Sequence, residues 1–553
     1  MEEIIKRYNL FFVVLIVAVG VFFRFYDLKA IPPGLYYDEA MNGNNALEII
    51  ESPGSLWKNF KVFYPENNGR EGLFINIQAV AVNFLGNDAW VLRLVSAIFG
   101  SLTILGLYLL TKELFKKNFS PIKTEVISLL ASFFLATSFW HINFSRIGFR
   151  AIMAPFFLVW STWLVWMLIQ KRDDFSKLKT SFFALIAGFI FGLGFYSYIS
   201  YRVAPLILLI PLFIFIKDKK FLPILFFTIA FVITIYPLVS YFYKHPQDFF
   251  GRTSEISIFS AQPPITGPLI NLLKNIFLTF IMFFAVGDFN WRHNIAGAPQ
   301  LWWPLGIFFL IGIIYTLKEV VKDLKLKRLN YEYCFLFFWF FSMMLPVVIS
   351  NEGIPHALRS IPLVPVAMIF SAIGFYLLME KIKIWIEKQK EKNPEYINQL
   401  NRINKELLVL ALVFLIVLGI NAYKQYFLDW AAKVEVAYAF NKDETDLGRY
   451  LKYLPSLTKK YVILNNEDNP QIFPMQVLPI MFLTDTYLPE KQKEKNIYYV
   501  LPKDIDKMIK EANEENSLQI FMLKNDPPLR KRLTNSIPGL FTYYDKDILI
   551  QAK

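Results

Sequence analysis

Leu10-Phe11-Phe12-Val13-Val14-Leu15-Ile16-Val17-Ala18-Val19-Gly20-Val21-Phe22-Phe23 carries no charge, and soon after it the chain reads Tyr36-Tyr37-Asp38-Glu39-Ala40. The first stretch is long and apolar enough to begin a membrane span. The second sets two adjacent carboxylates just beyond the end of that span, where ionisable groups are costly to desolvate and are often functional. Lys29 to Gly34 reads KAIPPG, with no small-x-small cleavage site, so the first segment is read as an uncleaved span rather than a removed leader.

Similar apolar runs recur along the chain. They fall near 10–26, 89–111, 125–143, 151–170, 181–198, 203–216, 221–243, 301–317, 333–350, 361–379 and 407–421, and predict eleven spans. The composition agrees: 55% of the 553 residues are hydrophobic and 56 are Phe, more apolar surface than a soluble domain of this length needs. With the N-terminus inside, the inner segments hold 25 Lys/Arg in 78 residues and the outer ones 12 in 140. That asymmetry predicts a cytoplasmic N-terminus. It also explains the net charge of +13 as a topology signal, so no nucleic-acid partner is expected. A further apolar stretch, 269–287, would reverse the later charge pattern if it crossed once. It is therefore predicted to lie along the outer surface or pack between helices. The single Cys334 cannot form an internal disulfide.

An odd number of spans places residues 422–553 outside the cell membrane. Tyr461–Leu464, Ile497–Leu501, Leu518–Leu523 and Asp547–Ile550 read as strands there. Asp504–Ala512 and Pro528–Ser536 read as helices. The expected organisation is a transmembrane catalytic domain over 1–421, its site formed by outer loops 27–88 and 244–300, followed by an extracytoplasmic α/β domain over 422–553. No Gly-rich phosphate fingerprint occurs in that second domain. The polar linker 380–406 reads as a solvated inner helix.

The unusual polar residues collect on the outer side. The first loop carries Asp38-Glu39 and Arg70-Glu71-Gly72-Leu73. Later outer turns carry Ser145-Arg146-Ile147-Gly148-Phe149-Arg150, then Arg202, then Gly287-Asp288 leading to Arg292-His293-Asn294, and finally His356 and Arg359. A guanidinium binds two phosphate oxygens at once. A carboxylate beside such a site suits removal of a proton from an alcohol while a phosphate leaves. Simpler readings stand beside these. Asp38 suits the cap of a helix through Ala40–Glu51, Glu39 a solvated acid in its first turn, and Arg146 and Arg150 headgroup anchors. No run has metal-ligand spacing, so no metal site is assigned, although Asp38, Glu39, Asp288 and His293 are groups a divalent ion could gather.

At these residues the chain resembles the polyprenyl-phosphate-sugar-dependent glycosyltransferases of the GT-C class, in particular family 39, the protein O-mannosyltransferase and aminoarabinose-transferase-like group. The resemblance covers roughly 10–380. It rests on the acid pair after the first span, the Arg70–Leu73 stretch, the Ser145–Arg150 turn and the Arg292-His293-Asn294 loop. It implies a GT-C-like helical membrane enzyme that moves a sugar, with inversion, from a polyprenyl-phosphate donor to an acceptor hydroxyl on a glycan, lipid or protein. Asp38 would be the general base, with Glu39 supporting it or binding the acceptor. Arg70, Glu71, Arg146, Arg150, Arg202, Arg292, His293, Asn294 and Arg359 would serve donor phosphate and substrate. The lipid-linked donor is a substrate, and no resident cofactor is implied. The alternative is a multi-pass lipid or solute transporter or flippase. Against it, few charges lie inside the spans and no internal repeat is evident.

Overall fold

The computed structural model describes residues 2–259, 267–465, 474–515, 517–542 and 548–552. Among these, ten helices are long and apolar enough to cross a membrane. They become eleven when Pro121–Ala136 and Phe139–Arg146, bent by 54° at their junction, are taken as one broken span. Each predicted span has its helix, and the protein is a multi-pass membrane protein. The stretch predicted to stay out of the count forms a helix over Pro268–Ile281. At 1.5 Å per residue its 14 residues cannot cross a ~30 Å core. Its polar Asn275 is buried and donates to the carbonyls of Val348 and Ser350, while Leu269, Ile270, Leu273 and Phe277 are exposed.

By its internal contacts the chain forms two units. The first comprises 1–28, 61–74 and 93–432; the second comprises 29–60, 75–92 and 433–553. The first outer loop is thus divided between them.

In the first unit, Trp303–Lys325 packs tightly on Val364–Lys392. The contact depends on two glycines. A Cβ on Gly312 would lie 1.9 Å from the Phe370 carbonyl oxygen, and one on Gly374 would lie 1.9 Å from that of Phe308. No rotamer relieves a clash with backbone, so the helices would have to part. Gly312→Val is therefore expected to lower the thermal unfolding midpoint of the purified protein by several degrees, well beyond Gly419→Val, whose site has open space.

The broken span shows why arginines lie inside this unit. A helix break leaves carbonyls that lipid cannot satisfy. Arg24, fully buried, donates to Leu135 and Ala136 O at the break, and Ser138 caps the helix that follows. Arg146 in turn donates to Phe23 and Asp27 O at the end of the first span and lies over the rings of Tyr426 and Phe427. Arg24 thus closes the helix that precedes Arg146's, and Arg146 closes the helix that carries Arg24. Arg24 also donates to His141 Nδ1 at 2.6 Å, which places the proton of that neutral ring on Nε2.

The second unit contains a five-stranded sheet of β3 (Lys459–Ile463), β4 (Ile497–Val500), β5 (Ser517–Met522), β6 (Leu540–Thr542) and β7 (Ile548–Ala552), in the order β4-β3-β5-β7-β6. A hairpin in the first unit supplies β1 (Phe63–Tyr64) and β2 (Arg70–Glu71). β4, β3 and β5 are parallel, joined through helices such as Ile505–Ala512, and β7 runs antiparallel to both β5 and β6. The predicted strands and helices are all present, with Asp547 outside the described residues. Tyr461, Ile463, Ile520, Met508 and Leu533 fill the core between sheet and helices. Helix Tyr37–Glu51 belongs to this unit. Asn44 donates to Leu478 O, and Gly43 lies against Phe482.

Candidate functional site

In the first unit a carboxylate and two guanidiniums meet. The β1–β2 hairpin closes through Asn67, Asn68 and Gly69, all at positive φ. Gly72 follows it, donating its N–H to Val62 O at 2.8 Å. A Cβ there would sit 1.9 Å from the Lys61 carbonyl oxygen. Neither a proline nor a larger residue fits this position. Because neighbours on a strand point to opposite faces, Arg70 and Glu71 separate. Arg70, 2% exposed, turns to Glu66 and the Tyr64 ring.

Glu71 turns to Arg150 Nε at 3.0 Å and to Arg202 Nη2 at 3.8 Å. Arg150 also donates to Gly69 O and lies over Tyr198. Arg202 donates to Phe249 O and lies over Phe249. The Glu71 side chain is 4% exposed, against 19% for Arg150 and 20% for Arg202. Two cations thus share one buried anion. The group keeps one excess positive charge on its more accessible members.

A second polar group is built on the loop after Ile281. Asp288 accepts from the backbone N–H groups of Asn290 and Ala357, both at 2.8 Å, and from His293 Nδ1 at 3.0 Å. Nδ1 therefore carries the proton, and in the neutral ring Nε2 is the free acceptor. Burial holds His293 below the ordinary histidine range, opposed by the Asp288 hydrogen bond, so the ring is neutral at pH 7. His356 lies 5.1 Å from it, ring to ring. Asp288, His293 and His356 offer ligand atoms within 4.8 Å of one another and are the residues that could hold a divalent ion. In the arrangement described, Asp288 spends its oxygens on orienting His293 and the loop. Asn294 fixes the loop through Asp288 and Ala298 O, and burial brings Arg292 down to about 10. Arg359, one turn after His356, pairs with Glu352 at 2.7 Å.

The second unit holds the acid pair. Leu35 N–H donates to Thr445 Oγ1 at 2.8 Å, fixing the chain as it enters the helix. That helix begins at Tyr37, so Asp38 lies inside its first turn rather than at the cap suggested by sequence. Glu39, fully buried, accepts from Tyr36 N–H at 3.2 Å, so it is not the solvated acid of the simpler reading. Asp38 is partly buried, at a position where the helix dipole favours a carboxylate. Burial, and then the Asp38 charge, push the Tyr37 hydroxyl above its ordinary value.

The structure thus brings together Glu71, Arg150 and Arg202, with Arg70 on the adjoining strand position. It brings Arg292, His293 and Asn294 together with Asp288 and His356. It turns Arg146 to the helix ends. Sequence reasoning placed Asp288 and His356 among the outer polar residues, with Asp288 among the groups a divalent ion could gather, but assigned neither a substrate role, and it gave no role to Arg24 or His141. The signal for Arg24 was legible: a guanidinium inside the first apolar segment demands a buried partner.

Residues 73–241 match the family profile described as dolichyl-phosphate-mannose-protein mannosyltransferase. No curated protein matches the chain in sequence. Among solved structures, ArnT from Cupriavidus metallidurans bound to undecaprenyl phosphate superposes with a TM-score of 0.53 at 12% identity, over 97% of each chain. Its apo form gives 0.50 at 13% identity, again over 97% of each. The Archaeoglobus fulgidus oligosaccharyltransferase, solved with a tethered acceptor peptide, gives 0.50 at 15% identity over 91% of this chain. This chain spans 65% of that protein's length. With residues 73–241 matching a mannosyltransferase profile and 97% of the chain superposing on ArnT, the protein has the fold of the GT-C membrane glycosyltransferases.

Proposed function

We propose that the protein is an inverting glycosyltransferase that moves a sugar from a polyprenyl-phosphate donor to an acceptor hydroxyl on a glycan, lipid or protein. In this reading the N-terminus is cytoplasmic, and the C-terminal domain and the reaction are extracytoplasmic. The observation that carries it is Glu71 shared between Arg150 and Arg202, which leaves one positive charge for a phosphodiester. The ArnT structure with undecaprenyl phosphate supports the lipid carrier.

Asp38 accepts the acceptor's O–H proton as its oxygen bonds to the anomeric carbon. The bond from that carbon to the phosphate oxygen breaks on the opposite face, and the new charge falls to Arg150 and Arg202. Glu39 holds the helix turn that presents Asp38. Arg292, His293, Asn294 and Arg359 contribute substrate hydrogen bonds.

The test is a donor screen: purified protein, a panel of polyprenyl-phosphate sugars, and mass spectrometry of the released lipid phosphate. Turnover of at least one donor is expected. Lipid movement between leaflets, with no donor consumed, would return the transporter reading.

A further inference from the structure

Helix Leu73–Leu85 ends on Phe84 and Leu85, 78% and 49% exposed, and Gly86 and Asn87 lead from it toward the span Ala89–Phe115. Residues 75–92 belong to the second unit, and Asn87 is tied into that unit from two directions. Its Nδ2 donates to the carbonyls of Phe482 and Leu483, both at 2.9 Å. Its carbonyl and Oδ1 accept from Lys452 Nζ at 2.9 and 3.0 Å. Lys452 stands in the last turn of helix Lys442–Tyr453. Tyr453, the next residue, is 85% exposed, and Leu457, in the turn before β3, is 93% exposed. Four large apolar side chains, from two segments joined through Asn87, thus stand in the open.

The span fixes their level. Its 27 residues rise 1.5 Å each, about 40 Å in all, which matches a bilayer with its headgroups rather than the ~30 Å hydrocarbon core alone. The span's first residue, two beyond Asn87, therefore lies in the headgroup layer. Apolar side chains exposed together in water mark a contact surface, and at this level the contact is lipid. We propose that the edge of the second unit carrying Phe84, Leu85, Tyr453 and Leu457 docks on the lipid surface, with these side chains entering the boundary between headgroups and acyl chains. Tyrosine suits that boundary because its ring is apolar and its hydroxyl polar. The nearby charges are balanced within the unit: Lys452 lies within reach of the Asp88 and Asp485 carboxylates, and Lys459 pairs with Glu515 at 2.9 Å. Docking therefore rests on apolar contact, and zwitterionic lipid suffices. The inference rests on the span and not on the transferase reading.

The test uses the full chain in phosphatidylcholine nanodiscs. In a Cys334→Ser background, Leu457→Cys is labelled with the environment-sensitive dye NBD. Lys507→Cys, exposed on helix Ile505–Ala512 of the same unit, is labelled in parallel. Each is read with and without phosphatidylcholine carrying a nitroxide near the top of its acyl chain. Emission at position 457 is expected to be blue-shifted and quenched about twofold or more by the nitroxide lipid, with position 507 unchanged. The same result is expected when phosphatidylglycerol is mixed in. Should Leu457→Cys fail to fold, Tyr453→Cys is read in its place. No quenching at the labelled edge, or equal quenching at position 507, overturns the proposal. A blue shift without lipid quenching also overturns it, because protein then covers the edge. So does quenching only in the anionic mixture, which would make the attachment electrostatic.

Discussion

Asp38→Asn is expected to lower the rate of sugar transfer from a polyprenyl-phosphate donor by roughly 10²–10⁴, the span that a positioned general base supplies. The substitution preserves shape and removes the basic oxygen. Asp38 is partly exposed in a first helical turn, where losing the charge forfeits about 0.3–1 kcal/mol of dipole interaction and the isosteric amide keeps the side chain's hydrogen-bonding shape. Membrane insertion and thermal unfolding should therefore be close to those of the parent. Glu39→Ala should behave in the opposite way. Its carboxylate accepts from Tyr36 N–H and is fully buried, so its loss should cost about 1 kcal/mol of stability and reduce turnover less. Transfer measured by released lipid phosphate, with unfolding followed in parallel, separates the two acids. Undiminished turnover in Asp38→Asn would move the base to another residue.

The spans were legible because lipid imposes one long-range rule, and each apolar run of the sequence is matched by its helix. The α/β domain was legible for a similar reason: its strands carry uninterrupted apolar runs such as Tyr461–Leu464. What pattern reading could not deliver was pairing. Nothing local tells Arg146, which closes the end of the first span, from Arg150, four residues on, which meets Glu71. Both are arginines of one short outer turn; the difference lies in which helix end or strand stands opposite. The Asp288–His293 pair is five residues long and visible in principle, but His356 joins it from a separate turn.

Arg150→Ala should reduce kcat/KM for the donor by about 10²–10³, the typical effect of removing one fixed group that stabilises developing charge. The argument rests on geometry rather than on charge alone. Arg150 uses Nε toward Glu71 and Nη2 toward Gly69 O, so its plane is held in place before substrate arrives. Arg150→Lys keeps the charge but loses the planar fork, and should recover only part of the activity. The Ala variant leaves Glu71 facing Arg202 at 3.8 Å, and a stability loss of roughly 1–3 kcal/mol accompanies it. A purely structural role would produce that loss too, so the deciding measurement is rescue. Added guanidinium at low millimolar concentration should restore part of the turnover of Arg150→Ala, and none of the turnover of Asp38→Asn. Equal failure of both variants to respond, with Arg150→Lys as active as the parent, would remove Arg150 from the phosphate site and leave it as a support for the hairpin that carries Glu71.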